Sequence, residues 1–274
     1  MNDLKSENID DFVKMIGNSK IAKYNDFLLK HLRPAVEIIL NNNLKIDLGG
    51  SRFGGTPDLP IGTKFPTYEV NKKVYPYIFI GQINFSDISP VENAISPVEN
   101  DVLLAENNIP ENGLLSLFVA DYIDDGLWWG EKGFVHGIYT SDLSNLENIS
   151  SPSDYPFDDT HSVAIEFRHT FDFPFDEYQV EDFPADLVRY GTDEYNEYHK
   201  ILDSLHGKNY LLGYPSHCSL AYDPTPEGEW ISLITLNSED DLQWCWHDGD
   251  YLMVFIKKED LKKSNFSDLA SDAG

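Results

Sequence analysis

The sequence predicts an α+β fold, mostly antiparallel sheet, internally duplicated about a pseudo-two-fold axis and preceded by a helical N-terminal extension. Three observations lead there. Short aromatic and β-branched runs bounded by Gly, Pro and Asn fill the body of the chain, as strands joined by turns do. Helical periodicity is confined to the N-terminal thirty or so residues and one later segment. A compound pattern also occurs twice: a Gly-Pro turn, an apolar strand ending in a polar residue plus Asn, then a Gly turn into another apolar strand. Its first copy runs through Leu48-Gly49-Gly50-Ser51-Arg52-Phe53-Gly54-Gly55-Thr56-Pro57, Ile78 to Phe85, and Asn112-Gly113 to Phe118. Its second runs through Leu212-Gly213-Tyr214-Pro215, Leu233 to Ser238, and Asp248-Gly249-Asp250 to Ile256.

Taken in order, Ile9, Phe12, Val13 and Ile16 follow helical spacing and Gly17 suits the stop. Ile21, Tyr24, Leu28 and His31 or Leu32 share a second helical face, with Ser19 as a candidate N-cap and Pro34 ending it. From Val36 to Leu40 the pattern suits a strand. Ile78 to Phe85, Leu114 to Ala120, Phe134 to Tyr139 and Ser162 to Arg168 read as the clearest strands, and Asn100 to Asn108 as a short helix. From Ser150 to Phe183 most of the chain reads as loop, anchored by Phe171, Phe173, Phe175 and Phe183. Thr192 to His206 is the best-formed helix. Thr192 caps it, Asp193 and Glu194 face its positive end, Tyr195, Tyr198, Leu202 and Leu205 share a face, and Gly207 closes it.

The expected organisation is an extension over 1–32, one duplicated domain over 33–262, and a polar, frayed tail over 263–274. Within the domain, repeat one covers 33–120, an insertion 121–207, and repeat two 208–262.

Charge narrows the partners. There are 47 acidic against 20 basic residues, a formal charge of −27, which repels nucleic acid and anionic membranes and suits a basic protein partner or plain solubility. No apolar run approaches the roughly 20 residues of a membrane-spanning helix. The first residues lack a basic-then-apolar leader pattern, and Cys218 and Cys245 are too few for a disulfide framework. A cytoplasmic protein is expected.

The ordered set Arg33-Pro34, Leu48-Gly49-Gly50, Pro57-Asp58-Leu59-Pro60, Phe79 to Asn84, Asn112 to Phe118, Leu212-Gly213-Tyr214-Pro215 and Asp248 to Ile256 resembles the YwqG-like family from about Arg33 to Ile256. The resemblance implies an internally duplicated α+β fold of unknown function, mostly bacterial, and brings no catalytic residues. Thr235 stands where that family usually has Gln, a departure that breaks any symmetric pair of sites built on Gln82. Some relatives sit near bacterial toxin–immunity loci, so the resemblance implies an immunity or partner-binding role.

The glycine-rich loop around Ser51 and Arg52 is the first candidate ligand site, because glycines admit close backbone approach and a guanidinium suits carboxylate or phosphate. It lacks the Gly-Lys-Ser/Thr ending of a P-loop. The alternative is a tight double turn with Arg52 paired to a local acid. If the two repeats face each other, Arg52, Ser51, Gln82 and Asn84 from one and Asn237, Trp246 and Asp248 from the other would line a cleft for an anionic ligand, with Asp248 the only acid–base candidate. Cys218, Cys245 and His247 are the weak metal candidates, against two buried thiols acting as small apolar residues. Glu239-Asp240-Asp241, Asp248 and Asp250 read as solvated turn acids, and the five tryptophans as core aromatics, with Trp128 and Trp129 partly exposed. No serine-hydrolase elbow, zinc-protease helix or kinase signature is present, and no cofactor is expected. The sequence therefore predicts a non-catalytic protein-binding module with an acidic surface, the alternative being a small-molecule sensor or enzyme with an inter-repeat cleft.

Overall fold

A computed structural model of the chain describes residues 9–88, 109–120, 127–153, 155, 158–217 and 219–274. Ten of its strands form one sheet: β1 Arg33–Asn41, β2 Arg52–Gly54, β6 Ile78–Asn84, β7 Leu114–Val119, β8 Val135–Thr140, β10 Ser162–Asp172, β11 Tyr210–Leu212, β12 Trp230–Asn237, β13 Tyr251–Lys257 and β14 Leu269–Ala273. The order across it is β14-β13-β12-β11-β1-β10-β2-β6-β7-β8. Two short pairs lie outside it, β3 Asp58–Pro60 with β9 Leu146–Asn148, and β4 Thr67–Val70 with β5 Lys73–Pro76. Every pairing among the described residues is antiparallel.

The two edge strands, β8 and β14, approach each other, so the sheet nearly closes on itself. Gly137 permits that approach, since a Cβ there would lie 2.8 Å from the Phe266 carbonyl oxygen. The enclosed core runs from Val36, Ile38 and Phe53 through Phe79, Phe118 and Phe134 to Trp244, Trp246 and Ile256. A near-barrel leaves little open edge for pairing with other chains.

Among the described residues helices are few: α1 Ile9–Gly17, α2 Asn25–Lys30, α3 Ala185–Val188, α4 Asp193–Leu205 and α5 Lys258–Lys262. None among the described residues is long and apolar enough to cross a membrane. A second apolar cluster joins Phe12 and Ile16 of α1, Leu28 of α2, and Tyr198, Ile201 and Leu205 of α4 to Phe173. Thr192 caps α4 as expected, its hydroxyl accepting from the Tyr195 N–H at 3.1 Å.

Four expectations need correction. Residues 269–273, expected to fray, form β14 on the edge of β13, where Leu269, Ser271 and Ala273 turn inward; small residues suit a shallow edge position. The segment expected as an insertion supplies β10, which runs to Asp172 and lies between β1 and β2. Ser19 caps the turn ahead of the second helix rather than the helix itself: its hydroxyl accepts from the Ile21 N–H at 3.2 Å and donates to the Ile16 carbonyl at 2.7 Å, and a 3₁₀ turn over Ala22–Tyr24 comes between it and α2. Phe171 is part of β10 rather than of a surface loop. The expected helix over Asn100 to Asn108 lies outside the described residues.

Candidate functional site

The glycine-rich loop delivers its side chains inward. Ser51, Arg52 and Gln82 are buried, Arg52 on β2 opposite Gln82 on β6. Arg52 Nη1 donates to Asp58 Oδ2 at 2.7 Å, and Nη2 donates to the Thr56 carbonyl. The same carboxylate oxygen accepts from the Gly49 N–H at 2.7 Å and from Gln82 Nε2 at 2.9 Å, while Asn148 Nδ2 donates to Oδ1 at 2.8 Å. Gln82 Oε1 accepts from the Asp58 N–H at 3.0 Å. Burial would raise the Asp58 pKa, but the hydrogen bonds from Arg52, Asn148 and the Gly49 N–H outweigh it and lower it to about 2. Arg52 is thus spent on an internal lock that pins β3 to the sheet.

The remaining candidates do not converge on it. Ser51 donates to Asp87 at 2.7 Å, and Asn84 holds the Gly49 carbonyl and caps the next 3₁₀ turn. Asn237 ends β12, its N–H bonded to Asn209 Oδ1. Trp246 is buried against Trp244, its Nε1–H without a hydrogen-bond partner. Asp248 stands in an exposed turn, its side chain 91% accessible, within 3.6 Å of His247. No hydrogen bond of the first set reaches the second. Among the described residues no group of three or more His, Cys, Asp or Glu could hold a metal ion. Cys245 and His247 lie in irregular chain rather than on a strand, with Cys245 exposed and its thiol 4.0 Å from the His247 carbonyl oxygen, and Cys218 lies outside the described residues.

The structure supplies a different site. A cavity of about 490 Å³ opens where the end of β10 meets the C-terminal half of α4 and the turn after β11. Phe173, Phe175, Leu202, Tyr210, Tyr214 and Tyr251 make its apolar wall, and Asp172, His206, Asp203, Lys208 and Ser216 its polar groups.

At its base lies a buried pair. His206 Nε2 is 3.1 Å from Asp172 Oδ1, and Nδ1 is 2.7 Å from the Gly207 carbonyl oxygen. Nδ1 is hydrogen-bonded to that carbonyl, whereas Nε2 is within ion-pair distance of the carboxylate without a hydrogen bond to it. Burial works against the imidazolium charge, yet the Asp172 carboxylate and the hydrogen bond to Gly207 prevail and raise the His206 pKa. Asp172 also accepts from the N–H groups of Phe173 and Tyr214, at 2.8 and 2.7 Å. Gly213 makes room for it: a Cβ there, at φ +66°, would lie 2.6 Å from Asp172 Oδ2.

The walls are just as firmly set. The Tyr210 hydroxyl donates to the Tyr214 carbonyl at 2.8 Å, its ring 4.1 Å from that of His206. The Arg33 guanidinium stacks 3.7 Å over Tyr214. Burial lifts the Tyr214 phenol to about 12, raises those of Tyr198 and Tyr210 well above their usual value, and lowers the His199 pKa. Sequence reasoning missed this site. The one available signal was a carboxylate, Asp172, between Phe171 and Phe173, where an unpaired charge is costly.

These features define a mostly antiparallel α+β protein built on one large, nearly closed sheet, with an aromatic cleft against its longest helix. The chain belongs to the family described as Domain of unknown function (DUF1963), whose model matches residues 51–272. That match includes both the Arg52 lock and the cleft. No curated protein gives a significant match.

Proposed function

We propose that this protein is a non-catalytic binding module that takes a small molecule in the cleft between β10, α4 and the turn after β11. The observation that carries this reading is the cleft itself. Its volume falls within the roughly 300–1,000 Å³ of ligand pockets, and aromatic walls surround a few fixed polar groups. Its Asp172–His206 ion pair is held by backbone groups, the N–H groups of Phe173 and Tyr214 on the carboxylate and the Gly207 carbonyl on the imidazole, which supports a role in shaping the site. The test is a thermal-shift screen of metabolites on the parent chain and on Leu202→Trp, which fills the cleft. A cleft ligand raises the melting temperature of the parent only; a library without such a hit refutes the reading.

A second reading, recognition of a basic protein through the acidic surface, is favoured by the −27 charge. It agrees with the immunity role that resemblance to YwqG-like proteins implies. A partner captured at low salt and released at high salt supports it; capture indifferent to salt counts against it.

We also infer that the sheet is an internal duplication about an axis between β1 and β10. In support, β1 pairs with β11 through Ala35–Leu212 and Val36–Leu211, as β10 pairs with β2 through Ser162–Gly54 and Val163–Phe53. Matching irregularities interrupt β6–β7 between Phe79 and Gly81 and β12–β13 between Ser232 and Ile234. Positive φ recurs at Gly54 and Gly55 and again at Leu212 and Gly213. Arg52 donates to the Thr56 carbonyl as Tyr210 does to that of Tyr214. The Asn84 N–H bonds Ser51 Oγ as the Asn237 N–H bonds Asn209 Oδ1. On this alignment Arg52, Asp58 and Gln82 correspond to Tyr210, Ser216 and Thr235: one half carries an ionic lock where the other carries hydroxyls. The second half then begins at β10, and α1 and α2 form an extension outside both halves.

A further inference from the structure

We infer that the cleft selects an organic cation carrying an apolar or aromatic body, a refinement that rests on the ligand-binding reading above. Four features of the cleft act in the same direction. First, five aromatic side chains line it, Phe173, Phe175, Tyr210, Tyr214 and Tyr251, and the negative quadrupole of an aromatic face attracts ammonium and guanidinium groups. Tyr214 already shows this chemistry, with Arg33 stacked 3.7 Å from its ring centre.

Second, α4 ends at Leu205, and His206, Gly207 and Lys208 line the cleft just beyond it. The cleft therefore sits at the negative end of a 13-residue helix dipole.

Third, the cations nearby are committed or solvated. His206 is ion-paired to Asp172, with Nε2 3.1 Å from Oδ1, and Nδ1 is hydrogen-bonded to the Gly207 carbonyl. Burial disfavours the charged form of His199 and lowers its pKa. Lys208 is exposed at the rim, where water screens it, and Asp203 stands exposed at the same rim.

Fourth, the −27 charge of the whole chain raises the local concentration of any cation and lowers that of any anion. An anionic ligand would have to overcome all four effects. The loop that looked suited to an anion, around Arg52, has its guanidinium closed off by Asp58.

Isothermal titration calorimetry on the full chain with three matched probes tests this: 3-phenylpropylammonium, 3-phenylpropanol and 3-phenylpropionate. The ammonium is expected to bind about tenfold more tightly than the alcohol, and the carboxylate most weakly of the three. Its advantage shrinks with added salt. Leu202→Trp is expected to abolish ammonium binding. Asp203→Asn, an exposed and conservative change, lowers ammonium affinity severalfold and leaves the alcohol unaffected. If the alcohol or carboxylate binds as tightly and Leu202→Trp still abolishes it, the cleft is a ligand site and the cation inference is overturned. If no probe binds, or binding survives Leu202→Trp, the cleft reading falls with it.

Discussion

Arg52 Nη1 and Asp58 Oδ2 lie 2.7 Å apart with both side chains almost fully withdrawn from water. Such a pair stands only when hydrogen bonds complete each ion's shell. Here Gly49, Gln82 and Asn148 complete the carboxylate and the Thr56 carbonyl takes a second guanidinium N–H. The pair clamps β3 against β2 and β6, which fixes the loop that first resembled a ligand site.

Arg52→Ala is expected to cost about 3–5 kcal/mol of stability, because it leaves Asp58 buried and uncompensated. Urea unfolding should show a lower midpoint at unchanged slope. Ligand binding in the cleft should persist wherever the variant is folded. Loss of binding in a fully stable Arg52→Ala protein would contradict the structural role.

Acid should release the same lock. The Asp58 pKa is lowered to about 2 in the folded chain, against about 3.9 when unfolded. Its contribution of about 2–3 kcal/mol is therefore present above pH 4 and is lost as pH falls through 2. Stability measured between pH 2 and pH 5 should fall less steeply in Asp58→Asn than in the parent, from a lower starting value.

His206 predicts the opposite slope. Its pKa is raised when folded, so its stabilisation is fully present below the unfolded value of about 6.5 and disappears as pH rises through the folded value. Urea midpoints taken from pH 5.5 to 9 should decline through that window in the parent. Asp172→Asn should flatten the decline; an identical profile in that variant would dissociate the effect from this pair.

Gly81 is a packing position. A Cβ there would lie 2.5 Å from the Arg52 carbonyl oxygen and 2.6 Å from Phe53 Cδ1. Gly81→Ala should destabilise by about 1–3 kcal/mol through overpacking between β2 and β6. Gly62→Ala offers a contrast, since nothing lies within 4 Å of its added carbon and only its φ of +84° resists the change.

Removal of β14 should expose the outer edge of β13, whose Leu252, Val254 and Ile256 are buried in the intact chain. A chain ended at Ser264 should show a lowered melting temperature and concentration-dependent association by light scattering. A monomeric, equally stable truncation would show that β14 is dispensable.

The sequence by itself determined the local elements. Aromatic and β-branched runs between turn residues marked β6, β7, β8, β12 and β13, and Thr192 with Asp193 and Glu194 marked the start of α4, because composition and capping are short-range properties. The glycine-rich turn was legible for the same reason: Gly54 and Gly55 do take positive φ. What only the tertiary structure decided is which of those elements meet. Arg52 read equally as a ligand group or as half of an ion pair until Asp58, Gln82 and Asn148 were brought round it from three separate strands. Asp172 and His206 lie at the ends of a strand and a helix, and nothing in their spacing announces a shared cleft. Pairing of β10 with β1, and of the small residues of β14 with β13, depends on long-range backbone hydrogen bonds that no local pattern encodes.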